Sequence, residues 1–235
     1  MLWTVINGGI GSIWEFLFML GGYLVLLGIM MPVHETAHAF VAYKLGDPTA
    51  RNMGRLTLNP LAHFDPIGSL MILLFGIGYA KAVPVKPRNF KNERGGMALV
   101  ALAGPVSNLL MAFLSLLIFR LVASFTGGFE LVGGTFYYYN TVTMYAYIVL
   151  VEVFAGTNLM LAVFNLLPLP PLDGSRIFGA LLPAKWTYWM DQYHTYVRMG
   201  VLLLVVTGVL DVPLRFLERV IGNGLCFLCR LPGLF

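Results

Sequence analysis

Charge is scarce in this chain. Of its 235 residues, 11% are Asp, Glu, Lys or Arg and 58% are hydrophobic, whereas an ordinary soluble domain is roughly 25% charged. Whole segments, such as 97–119, are apolar around the full helix. Lipid requires that pattern and a soluble core does not. Cysteine is nearly absent, with only Cys226 and Cys229, which excludes a disulfide framework. Their C-x-x-C spacing has no second pair and no thioredoxin-like surroundings, so they read as incidental thiols near a membrane surface. No Lys or Arg precedes Lys44. The N-terminus therefore lacks the basic region of a secretory signal peptide, and the first apolar segment reads as permanent. The net charge of +4 sits in a few loops, as the positive-inside bias produces, and does not point to nucleic acid.

The apolar segments that remain can be placed in a bilayer, whose hydrocarbon core takes about 20 helical residues to cross. Residues 13–45 read as one long helix or a helix pair, kinked at Pro32 and stopped by Gly46-Asp47-Pro48. In the polar stretch that follows, Arg55-Leu-Thr-Leu-Asn59 alternates as a short strand does. Residues 67–80 are apolar but short, with basic residues on both sides (Lys44, Arg51 and Arg55 before; Lys81, Lys86, Arg88, Lys91 and Arg94 after). A re-entrant hairpin, eased by Gly68, Gly76 and Gly78, keeps both loops in one compartment. Residues 95–122 form a clear span. The loop 123–143 has no Lys or Arg and is placed outside, with Tyr137, Tyr138 and Tyr139 suited to the interface. Residues 142–167 return inward to Arg176 and Lys185. Residues 196–210 offer a last span, and 212–221 are open to an alternative reading as an amphipathic interfacial helix.

The expected fold is an all-α polytopic membrane protein. It is a helical bundle with about four transmembrane segments, a re-entrant segment and a short β element near the active site. It forms a single domain over 1–235, with its core at about 13–183 and a C-terminal membrane segment at 196–235. The N-terminus is expected outside.

The chemistry concentrates in His34-Glu35-Thr36-Ala37-His38. On a helix, positions i and i+4 share a face, so both imidazoles reach one metal ion. Glu35 lies beside them, placed to take a proton from a water that the metal activates. Imidazole and carboxylate donors with one open position suit zinc. These ionisable groups lie on an apolar helix, where each costs about 2.5 kcal/mol or more and marks a functional candidate. A third ligand is needed. Of the chain's four histidines, His63 lies in a loop, where a solvated side chain is expected, and His194 lies beside a membrane surface. Among the carboxylates Glu15, Glu152 and Asp173, the best placed is Asp173. It sits in Asn165-Leu-Leu-Pro-Leu-Pro-Pro-Leu-Asp-Gly174, where three prolines prevent continuous helix. Glu152 reads as a residue facing a polar seam or lining a substrate path.

With His34-Glu-Thr-Ala-His38, Gly104-Pro105-Val-Ser-Asn108 and Asn165-Leu-Leu-Pro168-Leu-Pro-Pro-Leu172-Asp173-Gly174 in this order, residues 29–182 resemble the site-2 protease family of intramembrane metalloproteases. Gly54-Arg-Leu-Thr-Leu-Asn-Pro60 and Lys86-Pro-Arg-Asn-Phe90 are similar to its compact bacterial and archaeal members. The resemblance implies one zinc ion per chain held by His34, His38 and Asp173, with Glu35 as acid/base. It also implies an active site within the cell membrane, reached from the cytoplasmic side, and a transmembrane protein as substrate. Some members carry PDZ or CBS domains, for which this sequence has no room.

Asn108 and Asn165 are candidates to donate to the carbonyl oxygen of the substrate, or equally to cap broken helices. The strand at Arg55–Asn59 offers pairing to an unwound substrate. The competing functions are a membrane metal transporter, a catalytically inactive scaffold, and a different membrane zinc protease with Glu152 as third ligand. The partners expected are the bilayer and the substrate, with no nucleic acid. The oligomeric state is left open.

Overall fold

Pro32 shapes the first helix. It has no N–H, and its ring excludes the carbonyl four residues back. The computed structural model places a π-helical stretch, Leu26–Met30, just before it, with the Met31 N–H reaching the Leu26 carbonyl. Helix α1, Met31–Lys44, then carries Pro32 in its first turn, where a missing donor is harmless. The structure describes residues 20–22, 24–75, 80–132, 135–183 and 192–235; Glu15, Gly76, Gly78, Lys185 and the His194 side chain lie outside the described residues. The chain divides into two compact units, Met1–Gly104 and Pro105–Phe235.

In the first unit, α1 stops where the sequence predicts. Gly46 has φ +106, a conformation that favours glycine at a helix end. Asp47, fully buried, then ties two loops together. Its carboxylate accepts from the Thr49 N–H and hydroxyl, the Lys86 N–H and the Asn89 carboxamide. Burial alone would raise its pKa, but these donors outweigh it and hold the carboxyl below its ordinary value of 3.8. A carboxyl held low in the folded state contributes stability above its ordinary pKa, and that contribution is lost as pH falls through the lowered value. Asp47→Asn is expected to cost about 2 kcal/mol and to flatten the acid limb of a melting-temperature profile in detergent. An unchanged acid limb would show that the clamp does not contribute.

Helix α2 spans Thr49–Asn52, α3 spans Pro60–His63 and α4 spans Pro66–Phe75. Asn59 caps α3 through the Leu61 N–H, and Asp65 caps α4 through the Gly68 N–H. With ten residues, α4 is about 15 Å long. The strand expected at Arg55–Asn59 is not formed. The groups that would build a ladder are engaged otherwise: the Thr57 carbonyl accepts from the Thr36 hydroxyl and from His63, and Asn59 turns the chain into α3. Residues 80–86 follow as a strap with neither helix nor strand.

Helix α5, Glu93–Phe125, contains the boundary between the units at Gly104-Pro105. In the second unit, strands β1, Phe129–Val132, and β2, Thr135–Tyr138, form an antiparallel hairpin in which Phe129 faces Tyr138. These are the only strands among the described residues. Asn140 caps α6, Thr141–Ala146. A π-helical stretch, Tyr147–Gly156, and α7, Thr157–Asn165, continue it. Among the described residues, helices α8, Asp173–Gly179, α9, His194–Val206, and α10, Asp211–Leu228, follow.

Among the described residues, three helices are long and apolar enough to cross a membrane: Leu20–Lys44, Glu93–Phe125 and Thr141–Asn165. The expected span at 196–210 is represented by a shorter apolar helix, Thr195–Val205.

Helix α10 does not lie across the end of its neighbour as an isolated surface helix would. Leu214 packs with Leu159 and Val163, a Cβ on Gly222 would meet Leu159, and Cys226 and Cys229 pack with Ala155, Val151 and Tyr147. Partner numbers fall as α10 numbers rise, so α10 runs antiparallel along residues 147–163 for about 20 Å. Arg120 donates to the Cys229 carbonyl at its end, as a cation suits a helix C-terminus.

Candidate active site

The His34 and His38 rings, one helical turn apart on α1, meet edge to face with their centroids 4.6 Å apart and their planes at 87°. Their Nε2 atoms lie 3.0 Å from each other. The Nδ1 of His38 is 2.7 Å from the Val100 carbonyl on α5. A carbonyl only accepts, so Nδ1 carries the proton and Nε2 keeps its lone pair. This is the tautomer-fixing outer bond found behind metal-binding histidines. Two ring nitrogens, each about 2.0–2.1 Å from a zinc ion, can span the observed separation, so the pair fits that metal. His38 is buried, and Gly104 leaves the space beside both rings: a Cβ there would stand 2.5 Å from His34 Cε1 and from His38 Nε2.

Glu35, between the two histidines in sequence, accepts the Val83 N–H at 2.9 Å through Oε2. Thr36 donates its hydroxyl to the Thr57 carbonyl at 2.6 Å. Both contacts come from the polar loops that follow α1, which periodicity could not assign to this helix. His63, expected to be solvated, is 2% exposed. Its Nε2–H donates to the Thr57 carbonyl at 2.8 Å, because α3 folds back onto α1. Arg55 is buried as well.

In the second unit, the proline-broken segment ends with Leu172 extended and Asp173 opening α8. A Cβ on Gly174 would lie 2.2 Å from the Leu167 carbonyl and 2.4 Å from that of Leu166. The backbone after Asp173 therefore rests directly on the end of α7, which only glycine permits and which fixes the carboxylate's place.

The two asparagine candidates separate. Asn165 donates to the Leu161 carbonyl at 3.0 Å, a local bond at a helix end. Asn108 is fully buried, and neither atom of its carboxamide has a hydrogen-bond partner among the described residues. Asn158, also fully buried, donates to the Phe154 carbonyl and has an unpaired Oδ1. An isolated amide in an apolar run was its only sequence signal. Glu152 is exposed on the π-helical stretch, in line with Tyr145 and Val149.

The family model described as Peptidase family M50 matches residues 22–207. YwhC of Bacillus subtilis (strain 168), whose name gives it as a candidate zinc metalloprotease, is 44% identical over 186 residues, covering 79% of this chain and 80% of its own. Rip2 of Mycolicibacterium smegmatis, similarly named, is 33% identical over 178 residues, covering 72% of this chain and 57% of its own. No solved structure matches. A helix-borne pair of converging imidazoles beside a carboxylate, a proline-broken Asp-Gly, and these relatives lead to one conclusion: the chain belongs to peptidase family M50, the site-2 protease family, and is a zinc metalloendopeptidase.

Proposed function

We propose that this peptidase hydrolyses peptide bonds in or near transmembrane segments of membrane-protein substrates, with His34, His38 and Asp173 holding zinc and Glu35 as acid/base. The observation that carries this reading is the placement of two imidazole nitrogens 3.0 Å apart at the end of Leu20–Lys44, a helix apolar and long enough to cross a membrane. Two imidazoles and one carboxylate are a donor set able to hold a metal ion. The family match runs through both compact units, which supports one catalytic domain. At about half the thickness of a hydrocarbon core, α4 suits a re-entrant segment. The Lys and Arg of residues 44–94 support a cytoplasmic active-site side and an N-terminus outside.

Bound zinc supplies Lewis-acid polarisation of the scissile carbonyl and a water of lowered pKa. The residues of the chain do the rest. His38, oriented by Val100, and His34 present their lone pairs together. Glu35 takes the proton of the attacking water and returns it to the departing amine nitrogen. Asn108, buried with an unused carboxamide, donates to the oxygen on which charge develops.

The test is zinc content and cleavage of a panel of transmembrane peptides by the detergent-purified protein. Asp173→Ala is expected to lower zinc affinity by more than the roughly 10–100-fold that loss of an outer-shell partner costs, while Glu152→Ala retains the metal. Zinc lost with Glu152 instead would reassign the third ligand. Cleavage of soluble peptides alone would overturn the membrane-substrate reading.

A further inference from the structure

Arg55 belongs to a segment that the mechanism above leaves unused. It is 7% exposed and permanently charged, and a buried charge requires compensation. No carboxylate pairs with it directly among the described residues. Its Nη2 instead donates to the Lys81 carbonyl and, at 3.4 Å, to the Ala82 carbonyl. The Ala82 carbonyl and the Val83 N–H are the two ends of a single peptide group, and that N–H is the one donated to Glu35 Oε2 at 2.9 Å. A cation and an anion therefore grip opposite sides of one peptide, and each polarises the bond made by the other. The strap is anchored independently at its start, where the Lys81 N–H donates to the His63 carbonyl at 3.0 Å. His63 and Thr36 share the Thr57 carbonyl, which closes a circuit of bonds back to α1.

We infer that Arg55 is a positioning residue for the catalytic base: it acts through the Ala82–Val83 peptide and holds one oxygen of Glu35 still, leaving Oε1 for the proton transfers. The inference rests on Glu35 being the base. It explains why a charged side chain is buried against main-chain carbonyls, and why the strap lies beside α1. Without the guanidinium, the peptide is free to rotate and the Glu35 carboxylate loses its fixed rotamer. A displacement of about 1 Å at a catalytic group costs on the order of 10²-fold in rate.

Arg55→Ala is expected to lower kcat by about 10²-fold with KM and zinc content unchanged, and added guanidinium ion is expected to restore part of that loss. Guanidinium does not restore Glu35→Gln. Val83→Pro, which deletes the N–H, is expected to lose as much as Arg55→Ala and to fall well below Val83→Ala, which retains it. The double variant Arg55→Ala/Val83→Pro is expected to be no worse than either single variant, because both break one chain of bonds. Should Arg55→Ala fail to fold, the Val83 pair decides: equal kcat for Pro and Ala overturns the inference. Wild-type kcat in a folded Arg55→Ala, alongside an inactive Glu35→Gln, overturns the positioning role and leaves the base intact. An active Glu35→Gln overturns the base assignment itself.

Discussion

Glu35→Gln is expected to reduce cleavage of a transmembrane peptide by about 10²–10⁴-fold, the range that a positioned general base contributes, with zinc content unchanged. The substitution is nearly isosteric. The carboxamide oxygen can still accept the Val83 N–H that Oε2 accepts at 2.9 Å, so the side chain keeps its place and loses only its basicity. Neither imidazole is altered, and the His38 tautomer remains set by the Val100 carbonyl. The loss is therefore expected in kcat, read as a slowed single-turnover rate with peptide binding intact. Equal rates for the variant and the parent protein would remove Glu35 from the mechanism. Loss of zinc would instead recast it as part of the metal site.

Gly104→Ala carries the second large effect, and it acts through space that only glycine leaves open. A Cβ at this position would meet His34 Cε1 and His38 Nε2 at 2.5 Å and His38 Cε1 at 2.6 Å, all far inside contact distance. The His38 ring cannot swing away cheaply, since its Nδ1–H is bound to the carbonyl of Val100, four residues before Gly104 on α5. Local preference points the other way, because alanine is favoured over glycine inside a helix by about 1 kcal/mol. The expected result is a helix that still forms, but zinc content and activity that both collapse. Gly28→Ala is the control: its added methyl has nothing within 4 Å, and zinc and activity are expected to persist. Full zinc occupancy in Gly104→Ala would show that the rings do not use the geometry described.

What could be read from the sequence follows from local covalent geometry and from the solvent. The i, i+4 spacing of His34 and His38 fixes a shared helix face in any fold that keeps the helix. Pro168, Pro170 and Pro171 forbid continuous helix before Asp173 in any fold. A scarcity of charge demands lipid around 95–122 and 142–167, and the corresponding helices Glu93–Phe125 and Thr141–Asn165 have the length for it. The strand at Arg55–Asn59 shows where periodicity fails. Five alternating residues are also compatible with an irregular loop whose carbonyl is claimed by side chains from elsewhere.

The opening motif was legible because its donors are four residues apart. Its supports were not, because they arrive from 48 and 62 residues away, as Val83 reaches Glu35 and Val100 reaches His38. No periodicity spans such separations, since they depend on which loop packs against which helix. The burial of Arg55 and His63, the space at Gly104, and the choice of Asn108 over Asn165 as the unused carboxamide were decided there. Sequence by itself determined which atoms can do the chemistry. Tertiary packing decided which of them are held in place, because orientation is set by contacts between segments that are distant along the chain.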